Sequence, residues 1–329
     1  MRAIVNAVIV GLLLGLLGGG CRTKPVAAGP TFEPVTAENK ELAAHAEALL
    51  AQTAEGPGRE QLNRLRDAQG ADWLKKLKGD KPAKLGELNW PLREVRQIIE
   101  VGEKSNGWPL PPLAKVPRAK APPKIDGKLD DPAWATAWSS TGAYQFNQRE
   151  ANGPATTWKL CWDDRCLYVA FDCADSNLIA LPRERDTDVW NDDCVELFVL
   201  PDFRFRTYWE LIVTPSGSIF DAVQCKNYEA WGSSMNKGEN LAGLQVGVNL
   251  KGTLNQPDDT DTGYSVEFAV PFAELPGYAR GKPAAGQVLY FMLARLDRNG
   301  PKDFKFYAYQ PLLSWGHNIW NHGKLELLP

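Results

Sequence analysis

From Lys124 onward the chain becomes a series of short apolar/polar alternations, and this feature restricts the possible folds more than any other. TWKLCW, LYVAFDC, CVELFVL, RTYWELIV, GSIFDAV, LQVGVNL, YSVEFAV, VLYFMLARL, KFYAYQ and GKLELL follow one another. Turn signals such as Asp163-Asp164, Pro215-Ser216-Gly217 and Asn299-Gly300 separate them. About ten strands in roughly 200 residues, with no helical periodicity between them, predict a β-sandwich. No tandem repeat is visible.

The residues ahead of this region read differently. Arg2, an apolar run from Ala3 to Leu17 broken only by Asn6 and glycine, and then Gly18-Gly19-Gly20-Cys21 read as an export signal over 1–20. The run is short for a bilayer span, and the small residues before Cys21 make that cysteine the expected lipid acceptor of a lipoprotein. Residues 21–35 read as a flexible tether. Residues 36–107 read as a small helical region. Thr36 is its cap, and Leu42, Ala46, Leu49 and Leu50 share one face of a first helix. A second stretch holds Leu62 and Leu65, and Trp73, Leu74 and Leu77 follow a break near Gly70. A third runs from about Pro91 through Leu92, Val95, Ile98 and Ile99 to Gly102. Six of the sixteen residues from Trp108 to Pro123 are proline, so 108–123 reads as an extended linker and 124–329 as the sandwich.

Charge excludes one class of partner. Setting Arg2 aside leaves 36 of the 37 basic residues against 40 acidic ones, a balance with no electrostatic case for nucleic acid. Cys161, Cys166, Cys173, Cys194 and Cys225 are odd in number beyond Cys21, and none forms a CxxC. They read as small buried strand residues, with any disulfide pairing left open. Trp equals Phe at twelve each, an excess that the fold has to explain.

The window Asp188 to Pro201, DVWNDDCVELFVLP, carries the candidate site. Val195, Leu197 and Val199 alternate with Cys194, Glu196 and Phe198, so a half-buried strand shows Glu196 on the face opposite the aliphatics. Trp190, six residues earlier, adds an apolar ring. A tryptophan beside a carboxylate suits a ligand with both an apolar face and hydroxyls, as a sugar has. The competing reading is a core tryptophan and a solvated glutamate.

The run IDGKLDDPAW at Ile125–Trp134, the hairpin WKLCWDDRCLYVAFDCAD, DVWNDDCVELFV, YWELIVTPSGSIFD, DDTDTGYSVEFAVPFAEL and the ending LARLDRNG with SWGHNIWNHGKLEL resemble carbohydrate-binding module family 9 and its relatives. The resemblance covers about 116–329. It implies an immunoglobulin-like β-sandwich that holds the end of a sugar chain between two tryptophans, with Trp190 and Trp315 as the pair and Glu196 meeting hydroxyls. It implies a cell-surface accessory to carbohydrate breakdown, whose partners are a polysaccharide or oligosaccharide and a separate glycoside hydrolase. A structural calcium is also seen in the family. Asp126, Asp130, Asp172 and Asp175 are the acids available for one, with solvated turn acids as the competing reading. His322-Gly323 beside Trp320 replaces the family's Phe-Gly before the last strand, so sugar specificity does not transfer.

Other functions leave weaker marks. No GxSxG, HExxH or phosphate loop occurs. Glycoside hydrolysis needs only two carboxylates, and Glu196, Glu210 and Glu267 lie on predicted strands. A haem module would draw on Met235, Met292, His317 and His322, which show no spacing signature. A structural envelope protein, with tryptophans filling the sandwich core, is the main rival. Arg22 after Cys21, rather than aspartate, points to the outer membrane of a Gram-negative cell, with the protein exported and lipid-anchored.

Overall fold

The computed structural model of the protein describes residues 32–33, 37–51, 62–63, 83–84, 113–201, 207–226, 233–275, 282–300, 303–312, 316–317, 319 and 322–329. The export signal, Cys21, the tether apart from Phe32–Glu33, the third helical stretch and Trp315 lie outside these residues. The first helical stretch appears as α1 (Ala37–Ala51), and β1 (Phe32–Glu33) pairs with β2 (Ala83–Lys84).

Two sheets form the body of the structure. The smaller is built from β4 (Trp138–Thr141), β6 (Thr156–Trp162), β7 (Cys166–Cys173), β12 (Gln245–Lys251) and β13 (Gly263–Pro271), in the order β12-β13-β7-β6-β4. The larger contains β3 (Ala114–Val116), β5 (Tyr144–Gln145), β8 (Cys194–Leu200), β9 (Thr207–Val213) and β10 (Ile219–Lys226). Its remaining strands are β11 (Ser233–Asn236), β14 (Val288–Gly300), β15 (Asp303–Ala308) and β16 (Gly323–Leu327). Its order is β11-β10-β9-β8-β14-β15-β5, with β16 paired to both β14 and β3. All ten predicted strands are present. Residues 114–116, within the proline-rich stretch, are also sandwich: β3 lies parallel to β16, with Ala114 opposite Leu325.

The alternation explains the packing between the sheets. Val195, Leu197 and Val199 of β8 meet Trp158, Leu160 and Trp162 of β6 and Leu167, Val169 and Phe171 of β7 in one buried cluster. Here the tryptophan excess finds its place, because an indole fills core volume while its N–H still needs an acceptor. Trp158 donates to the Gly142 carbonyl at 2.8 Å and Trp162 to the Leu328 carbonyl at 2.9 Å. Core filling by tryptophan, assigned above to the structural rival, is therefore true of these two residues.

The expected half-buried strand is corrected: every residue of β8 is buried. An antiparallel sheet often leaves one face to water, but a second cluster covers the outer face of the larger sheet. It holds Phe198, Tyr208, Phe220, Met292 and Phe306, together with Ala43 and Ala46 of α1 and Leu62. On the smaller sheet, α2 (Pro132–Thr136) covers the outer face with Trp134.

Glu267 holds this second cover in place. Its carboxylate accepts from the Asp126 and Gly127 amides at 2.9 and 2.6 Å and from Trp134 Nε1 at 2.6 Å. Gly127 has φ +84°, and an added Cβ would lie 2.3 Å from the Val248 carbonyl carbon, so the IDGK turn needs glycine there. This gives Glu267 a structural role on the smaller sheet, whereas Glu196 and Glu210 lie on the larger. Glu267→Ala strands three donors and should lower stability by about 3 kcal/mol in urea unfolding. A change under about 0.5 kcal/mol would show that the turn does not depend on this carboxylate.

Candidate functional site

The window DVWNDD is held from below by its own aspartates. Asp192 forms a two-pronged ion pair with Arg183, both contacts at 2.9 Å, and accepts the Leu181 amide at 3.0 Å. Asp193 accepts the Ile179 and Arg298 amides, both at 2.6 Å. Between these anchors and Asp188 the chain makes a 3-10 turn, Val189–Asn191, that presents Trp190. The indole is partly buried, edge-to-face with Phe220 at 5.4 Å, and Lys237 Nζ lies 5.2 Å from its centre.

Trp190 borders a cavity of about 250 Å³ on the outer face of the larger sheet. Glu196 and Phe198 of β8, Glu210 and Ile212 of β9 and Leu296 and Arg298 of β14 also line it. The rim is completed by Met235 of β11, Phe304 and Phe306 of β15, and Gly316 and His317 near the C-terminus. Met235 and Phe304 are 40% and 44% exposed, which gives the mouth an apolar edge. The structure thus brings Trp190 and Glu196 to one cavity. Trp315 is outside the described residues, although Gly316 and His317 beside it in sequence line the same cavity.

Sequence reasoning missed the second carboxylate as a neighbour of the first. In the β8/β9 register Glu196 lies opposite Ile212 and Phe198 opposite Glu210, so the two acids are diagonal neighbours on one face. The alternation shared by YWELIV and CVELFV was the available signal, but register between distant strands is not written in either. Burial pushes the Glu196 carboxyl well above the ordinary carboxylate range, Glu210 beside it pushes the same way, and Arg298 opposes. Burial raises Glu210 to about 7, against a hydrogen bond from Gln224 Nε2.

Arg298 was also missed, and His317 was weighed only as a haem ligand. One Arg298 Nη donates to the Trp190 carbonyl, the guanidinium lies 4.4 Å from the centre of Phe304, and Nε has no partner. His317 Nδ1 is 2.9 Å from the Tyr208 hydroxyl and Nε2 is 3.7 Å from Glu210. His322 Nε2 donates to the Gly316 carbonyl at 2.9 Å, so the His-Gly departure braces the turn at the cavity.

Of the residues named for haem, Met235 is exposed at the rim of the cavity and the other three are engaged elsewhere. Both His317 nitrogens and His322 Nε2 face other partners, and Met292 is buried under Gly316. Three of the four acids named for calcium are engaged by basic side chains. Asp126 pairs with Lys124 at 2.7 Å, Asp172 pairs with Lys251, and Asp175 pairs with Arg295 at 2.8 Å. Among the described residues the acids whose ligand atoms converge are Asp175, Asp193 and Asp297, and Arg295 reaches two of them, with Asp297 at 3.7 Å. Cys161, Cys166, Cys173 and Cys194 are free thiols on strands, and all but the partly exposed Cys166 are buried.

With this geometry in view, comparison with known proteins decides the family. Residues 125–310 match the model of the family described as carbohydrate family 9 binding domain-like. The chain belongs to this family. It is 29% identical over 184 residues to endo-1,4-beta-xylanase A of Thermoanaerobacterium saccharolyticum, covering 55% of this chain and 13% of that one. It is 30% identical over 155 residues to exoglucanase XynX of Acetivibrio thermocellus, covering 46% and 12%. The match therefore spans about an eighth of the length of each relative. A crystal structure of a putative carbohydrate-binding protein from Bacteroides uniformis shares the fold, with TM-score 0.51, 15% identity, and 65% of this chain and 97% of that chain covered.

Because Glu210 binds its proton more tightly in the folded chain than in the unfolded one, its contribution to stability falls as pH rises from the ordinary 4.5 to about 7. Glu210→Gln removes that loss. The variant should match wild type near pH 4.5 and exceed it by on the order of 3 kcal/mol at pH 8. Parallel melting curves at the two pH values check this, and a pH-independent gap would contradict it.

Proposed function

We propose that this family 9 module binds carbohydrate without catalysis, holding the end of a polysaccharide or oligosaccharide against Trp190, with Trp315 as the opposing ring. One observation carries the reading: a cavity with an apolar, aromatic mouth has polar groups with unused hydrogen-bonding capacity at its floor. Glu196 is 5% exposed and accepts no hydrogen bond from a described residue, and Arg298 Nε is an unused donor beside it. Sugar hydroxyls supply both donors and acceptors to such a floor, while C–H faces cover the rings. The names of the two relatives, a xylanase and an exoglucanase, support a carbohydrate ligand. They also support a role beside glycoside hydrolysis.

Binding in so small a cavity should have a dissociation constant of roughly 10 to 1000 µM. A glycan array followed by titration calorimetry tests it. Trp190→Ala should weaken binding by about tenfold or more. Its melting temperature should fall less than for a buried tryptophan, whose truncation costs about 3 to 5 kcal/mol. Unchanged affinity with a large stability loss would return Trp190 to the structural rival.

We also propose that Cys21 carries lipid and anchors the protein in the envelope, in the outer membrane of a Gram-negative cell. Holding a weak binder at a surface raises its effective concentration near polymer. Cys21→Ser should then appear in the soluble fraction while wild type sediments with membranes. Soluble wild type with a mature terminus other than Cys21 would overturn the anchor.

A further inference from the structure

The floor of the cavity sets two carboxyl groups against one guanidinium. Glu196 and Glu210 sit diagonally on β8 and β9, and the surfaces around them are Phe198, Ile212, Leu296 and Phe306. Arg298 would neutralise one of them, yet it forms no ion pair within 4.0 Å with either acid among the described residues. It is turned instead to the Trp190 carbonyl and the Phe304 ring. The other groups near the pair are neutral Gln224 from β10, His317, whose Nε2 stands 3.7 Å from Glu210, and the Cys194 thiol, two residues before Glu196 on the same face of β8. The Glu196 oxygens have no hydrogen-bond partner among the described residues.

A hydroxyl can donate to these oxygens, but it offers no charge to offset the burial of their ionised form. An ammonium supplies three donors and a full positive charge, and its bonds to carboxylate are the stronger, charge-assisted kind. Ring faces nearby favour a cation as well. The site already shows this preference on its outer side, where the Lys237 ammonium lies 5.2 Å from the centre of Trp190 and 5.5 Å from that of Phe220.

We propose that the cavity selects a saccharide bearing a free amino group, a 2-amino-2-deoxy sugar or its β-linked oligomer, with the ammonium between Glu196 and Glu210 and the sugar ring against Trp190. This rests on the carbohydrate-binding reading above and names the chemical class that distinguishes this floor. N-acetylation removes the charge and two donors, so the acetylated sugar loses the interaction.

The test is calorimetry on the full chain with three probes of equal length and linkage: a β-1,4-linked glucosamine trimer, its N-acetylated counterpart and cellotriose. The amino trimer should bind about tenfold more tightly than cellotriose, and the acetylated trimer most weakly. Its affinity should rise from about pH 5 to about pH 7 as the pair loses its proton. Glu196→Gln and Glu210→Gln should each bring the ratio of amino-trimer to cellotriose affinity from about tenfold toward one, whatever they do to cellotriose binding itself; a ratio that stays near tenfold in both variants overturns the proposal. Cellotriose binding as tightly as the amino trimer overturns the proposal and leaves carbohydrate binding standing. So does binding of some other neutral glycan when none of the three probes binds. No affinity for any glycan overturns both.

Discussion

The long strand β14 is the member on which the structure hangs. One of its edges pairs with β8 from Tyr290 to Leu296, while the other pairs first with β16 and then with β15. Its alternation serves two clusters at once. Leu289, Phe291 and Leu293 enter the core between the sheets, and Met292, Ala294 and Leu296 enter the cluster outside. A residue slip in this strand would exchange the two sets and bring Arg298 out of the cavity.

Because both outer faces are covered, the cavity is an opening left in a packed layer. That origin explains its unusual floor. Carboxylates on the solvated side of an ordinary strand would be hydrated at little cost, but Glu196 and Glu210 lie under aromatic side chains and are pushed toward their neutral forms. The arrangement costs stability, as buried acids with few partners do, and sites that meet ligands are where such costs are usually found. The second acidic group, around Arg295, shows the opposite solution: there the guanidinium lies within the acids and contacts them directly.

The strands were legible because alternation and turn residues are local, and the nearness of Trp190 to Glu196 was legible because they share one window of a recognisable series. The covering of the outer face was not, since it joins Phe220, Phe306 and Ala43, residues far apart in sequence. Nor was β3, whose few residues stand among prolines and gain strand character only by pairing with the C-terminal strand. The partnership of Glu196 with Glu210 depends on register, and that of Arg298 with Trp190 depends on a carbonyl that no side-chain pattern records.

The parallel pairing of β3 with β16 has a mechanical consequence. A pull on the chain ahead of residue 113, directed along β3, slides it against β16, so the inter-strand hydrogen bonds share the load instead of opening one after another. From β16 the force passes to β14 through four paired positions, and β14 carries part of the cavity wall. Tension between the N-terminal side and a captured polymer would therefore run through the interior of the larger sheet, in shear, with the first joint made by the segment whose composition reads most like a linker.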